Sequence, residues 1–261
     1  MVAGCGCREA SSAHQKKDGV VYDGNELFLK VCKDLNVPVL ELVVRTARWV
    51  HPAVFRELPL WYPAHARKMP LFKADWSTPQ MVKGKRAIET NFKGQETLDK
   101  ALGIASENRK NWTCCHIWGY SDETFQSASL TNNPRYYTCP ANMMQLPTPL
   151  KALTDSMPSV QLAIRVCVWN TYGWTPDTED AEQAALVRSG HVPAGYPTAW
   201  PRSRGAPLPQ GVQPVTKQIR HAMAKRKRDI KRNLARHEAG SLPHYPADQV
   251  RQLLRYWRIQ L

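Results

Sequence analysis

The chain has 261 residues, of which 43% are hydrophobic. That is enough to bury a substantial core, and it excludes a disordered chain. No apolar run approaches the roughly 18 residues that a membrane helix needs, and 36 Lys and Arg against 22 Asp and Glu leave a net charge of +14, which favours a polyanionic partner, nucleic acid above all.

The opening residues, MVAGCGCREASS, bring neither a basic n-region nor an apolar h-region. They read as a polar tail over 1–19 of a cytoplasmic protein rather than as a secretory signal. Seven cysteines stand at 5, 7, 32, 114, 115, 139 and 167, without paired Cys-x-x-Cys knuckles. An odd number in that pattern reads as reduced thiols.

From Asn25, Leu27, Val31 and Leu35 recur at four-residue spacing, which predicts an amphipathic helix. The run VPVLELVVRTARWV after Asn36 predicts a further helix rather than a strand. Residues 51–76 are rich in proline and aromatics, so short elements and ordered turns are expected. Over 94–112, Leu98, Ala101, Leu102 and Ala105 form an apolar stripe with Thr97 as the expected cap.

The segment 112–157 holds the most chemistry. WTCCHIWGY is β-branched and aromatic and predicts a strand. TNNPR is a turn signal, and YYTCPANMMQL predicts a second extended piece. TPLKALTD then starts a helix with Pro149 in its first turn, and SVQLAIRVCVWNTYGW predicts a buried helix. This order sets an imidazole, His116, at a strand end and a carboxamide, Asn142, before a helix start. Phosphodiester hydrolysis needs a base for water, a cation for the charge on phosphate, and a group that orients the base. An imidazole suits the first task at neutral pH. Asp122 and Asp155 offer hard oxygen ligands for magnesium or manganese.

The segments CHIWGYSD, NNPRYYTCPANMMQLP and TPLKALTD resemble the HNH endonucleases, in particular bacterial ones with a Cys-His-Ile-Trp segment. The resemblance implies a ββα-metal unit and a metal-dependent endonuclease of double-stranded DNA. It implies His116 as general base and Asn142 as the residue that orients it or touches the metal. Mg2+ or Mn2+ would be held by some of Asp122, Asn142 and Asp155. The sequence departs from the family's pattern at three places. Cys115 stands where an aspartate often precedes the base, Tyr137 where look-alikes carry histidine, and Lys151 where a helix ligand is expected.

The cysteines have a second reading, a structural zinc with His116. It is disfavoured because neighbouring strand residues point to opposite faces. A degenerate scaffold that binds nucleic acid without cutting it is the alternative function. A restriction-type role would call for a homodimer, since a palindromic site mirrors a two-fold protein.

Residues 189–215 hold six prolines and four glycines and read as a linker or extended arm. Beyond it, 217–236 carries nine Lys and Arg against one Asp. Lys217, Arg220, Lys225, Arg226, Lys227, Arg228, Lys231 and Arg232 are the expected phosphate contacts. Val250, Leu253, Leu254 and Trp257 then share one face of a last helix. The expected architecture is α+β and mainly helical. A nuclease domain over 20–188 would surround the ββα-metal unit, and 216–261 would form a basic helical segment.

Overall fold

A computed structural model describes residues 23–119, 130–177 and 182–261. It divides into two compact units, Met1–Val37 and Pro38–Leu261. In the first, α1 (Gly24–Asp34) is the helix that the four-residue spacing predicts. The second is α+β, with two small antiparallel sheets among many helices.

Within that unit, α2 (Val39–Thr46) and α3 (Pro52–Glu57) come first. Both start at a proline, and both end on a residue outside the helical region, Ala47 and Leu58. The 51–76 stretch then runs as turns into a two-residue hairpin, β1 (Met81–Val82) with β2 (Lys85–Arg86). Helix α4 (Phe92–Leu102) follows and ends on Gly103, whose φ of 67° is the left-handed conformation that glycine adopts without strain. Thr97, the expected cap, lies inside α4, and its hydroxyl donates to Lys93 O at 2.8 Å. The capping group is the carboxylate of Glu89, which accepts from the N–H groups of Phe92 at 2.6 Å and Lys93 at 3.2 Å.

Strand β3 (Trp112–His116) pairs antiparallel with β4 (Met143–Pro147), and His116 stands opposite Met143. The second strand begins later than YYTCPANMMQL suggests. The chain before it instead forms short 3-10 turns, among them Leu130–Asn132 and Pro140–Asn142. Asn133 drives the departure: its side chain accepts from Arg135 N at 2.9 Å and its backbone oxygen from Tyr136 N at 3.1 Å, which coils the chain instead of extending it. After β4, a 3-10 turn at Thr148–Leu150 leads into α5 (Lys151–Ser156), and the buried helix α6 (Pro158–Tyr172) follows.

Both faces of the β3–β4 pair are buried. Cys115, Met144 and Leu146 pack with α2 and α6 on one side, whereas Cys114 and Met143 pack with Leu98 of α4 on the other. Two-sided burial explains why MMQL reads as a continuous run rather than an alternating one.

Helix α7 (Glu182–Arg188) packs on α6. Residues 189–215 then lie against the body of the same unit rather than linking separate domains. Trp200 is fully buried and meets Trp49 edge-on at 6.1 Å. Gly211 O accepts from Trp49 N at 3.1 Å, and a side chain at Gly211 would collide with Ala47 O. Helix α8 (Lys217–Glu238), capped by Thr216, packs on α4 through Ile219 and Met223. In α9 (Ala247–Tyr256), Val250, Leu253 and Leu254 are buried, as their spacing predicts. Among the described residues, no helix is long and apolar enough to cross a membrane.

Candidate functional site

His116 closes β3, and its Nε2 lies 2.9 Å from the backbone oxygen of Tyr137. A carbonyl oxygen can only accept, so Nε2 carries the hydrogen. In the neutral ring, Nδ1 then holds the lone pair. The imidazole also stacks on the Tyr137 ring, with centroids 5.5 Å apart and planes inclined by 15°. Hydrogen bond and stack together fix both the tautomer and the orientation.

Tyr137 is itself held from below. Its hydroxyl donates to Glu89 Oε1 at 2.7 Å and accepts from Gly94 N at 3.4 Å. Glu89 is fully buried, and its charge lies at the N-terminus of α4, where the helix dipole and two N–H groups stabilise it. The chain of support therefore runs from α4 through Glu89 and Tyr137 to His116.

Asn142 supports the same loop from the other end. Its Oδ1 accepts from Trp118 N at 2.9 Å, and its Nδ2 donates to Trp118 O at 3.2 Å and Tyr136 O at 3.3 Å. It is fully buried, so its carboxamide ties the segment after His116 to the segment before Tyr137. Those bonds go to backbone groups of Trp118 and Tyr136, none to the His116 ring, and Asn142 does not border the cleft beside that ring.

That cleft has room for about one water, ≈ 30 Å³. His116, Arg67, Asn91, Thr131, Lys151 and Asp155 border it. Burial depresses the His116 imidazole to about 4, and the nearby cations Arg67 and Lys151 push the same way. The Tyr137 carbonyl and Asp155 oppose them. His116 is consequently neutral at pH 7, and Nδ1 carries the lone pair.

Asp155 is ion-paired with Lys151 one turn earlier on α5. Asp122 lies outside the described residues. Among the described residues, no group of three His, Cys, Asp or Glu could hold a metal ion. Among the described residues, the oxygen and nitrogen donors at the cleft are the His116 imidazole, the Asn91 carboxamide, the Thr131 hydroxyl and one carboxylate, Asp155, that already has a cationic partner. By themselves they do not make a site for Mg2+ or Mn2+, which take several oxygen ligands. The thiols of Cys114, Cys115 and Cys139 are free, and burial raises all three, Cys115 to about 11 and Cys139 to about 12.

On α8, the expected phosphate contacts differ among themselves. Lys217, Arg220, Lys225, Arg228, Lys231 and Arg232 are exposed, whereas Lys227 is half-buried. Asp229 pairs with Arg232 at 2.7 Å and lies 3.8 Å from Lys225. Arg226 turns inward, where its Nε donates to Trp61 O at 2.6 Å and its guanidinium covers the Tyr62 ring at 4.1 Å.

Sequence reasoning missed Glu89, Asn91 and Arg67. All three precede His116 by more than 20 residues, and no local motif joins them to it. Compared with protein-family models, curated proteins and solved structures, the chain matches none of them.

Proposed function

We propose that this chain is an endonuclease of the HNH type that hydrolyses phosphodiester bonds in double-stranded DNA at the His116 cleft. The observation that carries the reading is the bond from His116 Nε2 to Tyr137 O, which leaves Nδ1 as a neutral, oriented base. Nδ1 takes a proton from water, the resulting hydroxide attacks phosphorus as the bond to the 3′ oxygen breaks, the departing oxygen takes a proton from solvent, and the imidazolium returns its proton to solvent. Arg67 and Lys151, which border the cleft, meet the negative charge that develops on the phosphate. The exposed cations of α8 hold the DNA backbone, adding affinity and salt dependence rather than sequence readout.

The resemblance to HNH enzymes also brings a requirement for Mg2+ or Mn2+. It rests on that likeness and on Asp122, and none of the steps above runs through the ion.

A non-catalytic nucleic-acid-binding protein is the second reading. The ion pair between Lys151 and Asp155 favours it, because it occupies a carboxylate that a catalytic cation would want. Supercoiled plasmid incubated with the protein in magnesium, manganese or EDTA separates the two. Nicks or linear product support the nuclease. Intact plasmid in every condition, with salt-sensitive gel retardation, supports the binding protein.

A further inference from the structure

A second and larger cavity, ≈ 300 Å³, lies where the 62–76 turns meet the start of α4 and the middle of α8. Its volume is in the range of small-molecule sites. The walls combine aromatic rings with cations. Phe72 and Trp76 stack with centroids 5.5 Å apart, and Phe92, 63% exposed, stands among the lining residues. Arg226 and Lys93 supply the positive charge.

Arg226 is the unusual member. Its Nε is bonded to Trp61 O, but no ion pair or hydrogen bond engages its terminal nitrogens among the described residues. Glu96 and Asp229 act on the half-buried guanidinium without a direct bond to it, and an anion at the terminal nitrogens would complete it. Lys93, paired with Glu96 at 2.7 Å, lies 4.8 Å from the Tyr62 ring centroid. His65 lines the same cavity, and its ring nitrogens hydrogen-bond to no described residue. Burial holds it neutral at about 3, so one ring nitrogen can donate and the other accept.

A planar ring system joined to an anion satisfies all of these groups at once. We infer that this cavity takes one nucleotide of a DNA strand, its base against Phe92 and Phe72 and its phosphate on Arg226 and Lys93. The choice of DNA as the source rests on the proposed function, while the chemistry of the cavity does not. The cavity also adjoins the His116 support, because Glu89 caps α4 at Phe92 and Lys93 and holds Tyr137.

The test is a titration of the full chain, read by tryptophan fluorescence because Trp76 lines the cavity. Ligands are deoxyadenosine 5′-monophosphate, deoxyadenosine, inorganic phosphate and a short single-stranded oligonucleotide. The inference expects saturable binding of the mononucleotide and of the oligonucleotide, with nucleoside and phosphate each at least ~10-fold weaker. Phe92→Ala removes an exposed ring and should weaken mononucleotide binding about 10-fold, the scale of one base–aromatic stack. His116→Ala should bind the mononucleotide like wild type. No saturable mononucleotide binding overturns the inference, as does phosphate that binds as tightly as the nucleotide, or unchanged affinity in Phe92→Ala. Mononucleotide binding without oligonucleotide binding overturns the assignment to a DNA strand. Because binding is read without cleavage, an inert plasmid would sink the nuclease reading and leave this one standing.

Discussion

His116 Nε2 lies 2.9 Å from Tyr137 O, and the two rings stack 5.5 Å apart. One residue thus sets the tautomer of the histidine with its backbone and the plane of the ring with its side chain. The Tyr137 hydroxyl on buried Glu89 keeps that residue in place. Tyr137→Phe preserves the stack and removes the hydroxyl. The expected cost is about 1–3 kcal/mol, since Glu89 loses a buried donor, measured as a shift in the urea midpoint. Tyr137→Ala also loses the stack, and plasmid nicking should fall further than in Tyr137→Phe.

Asn142 makes three side-chain hydrogen bonds to backbone groups while fully buried. Asn142→Ala removes three buried hydrogen bonds and should cost roughly 3 kcal/mol or more. Urea unfolding checks this. A ligand role would give the opposite pattern, with stability kept and metal dependence changed.

Acid should weaken the fold through His116 and His65. Burial sets His116 at about 4 and His65 at about 3, against 6.5 for a free imidazole. Between those values, the unfolded chain binds protons that the folded chain does not. Stability from these groups is therefore fully present above the ordinary imidazole value and is lost as pH falls toward the folded values. Arg67, Lys151 and Asp155 face His116, and Lys93, Arg226 and Glu96 face His65. Urea midpoints should drop steadily below pH 6.5, and the drop should be smaller in His116→Gln. Nicking, which needs neutral His116, should survive moderate acid.

The cations of α8 should divide by exposure. Arg228→Gln and Lys231→Gln lose exposed charges and should leave stability alone. Each should flatten the dependence of log affinity on log salt by about 1 for every phosphate the protein no longer neutralises. Arg226→Gln removes the bond to Trp61 O and the cover over Tyr62, so its effect should appear in the urea midpoint as well.

Much of the helical framework was legible in the sequence, because apolar spacing survives in any amphipathic helix. Val250, Leu253 and Leu254 show it in α9, and Leu98, Ala101 and Leu102 show it in α4. The strand that ends at His116 was legible for a similar reason, since β-branched and aromatic residues crowd it. The start of β4 was not, because the Asn133 turn overrides the extended look of YYTC. Nor was the role of 189–215 as a packed arm, for proline and glycine mark irregular backbone whether or not Trp200 finds a core. Of the candidate site, the place of His116 at a strand end was readable from the residues around it. Glu89 and Arg67 were not, since tertiary contact alone brings them to the site.

If His116 is the base, its removal should stop cleavage by a protein that is still folded. Supercoiled plasmid should be incubated with wild type and with His116→Ala at equal concentration, after circular dichroism shows both folded. Nicked or linear plasmid is expected from wild type, and at least ~100-fold slower cleavage from His116→Ala, the usual loss when a general base is removed. Equal cleavage by the two proteins would contradict it.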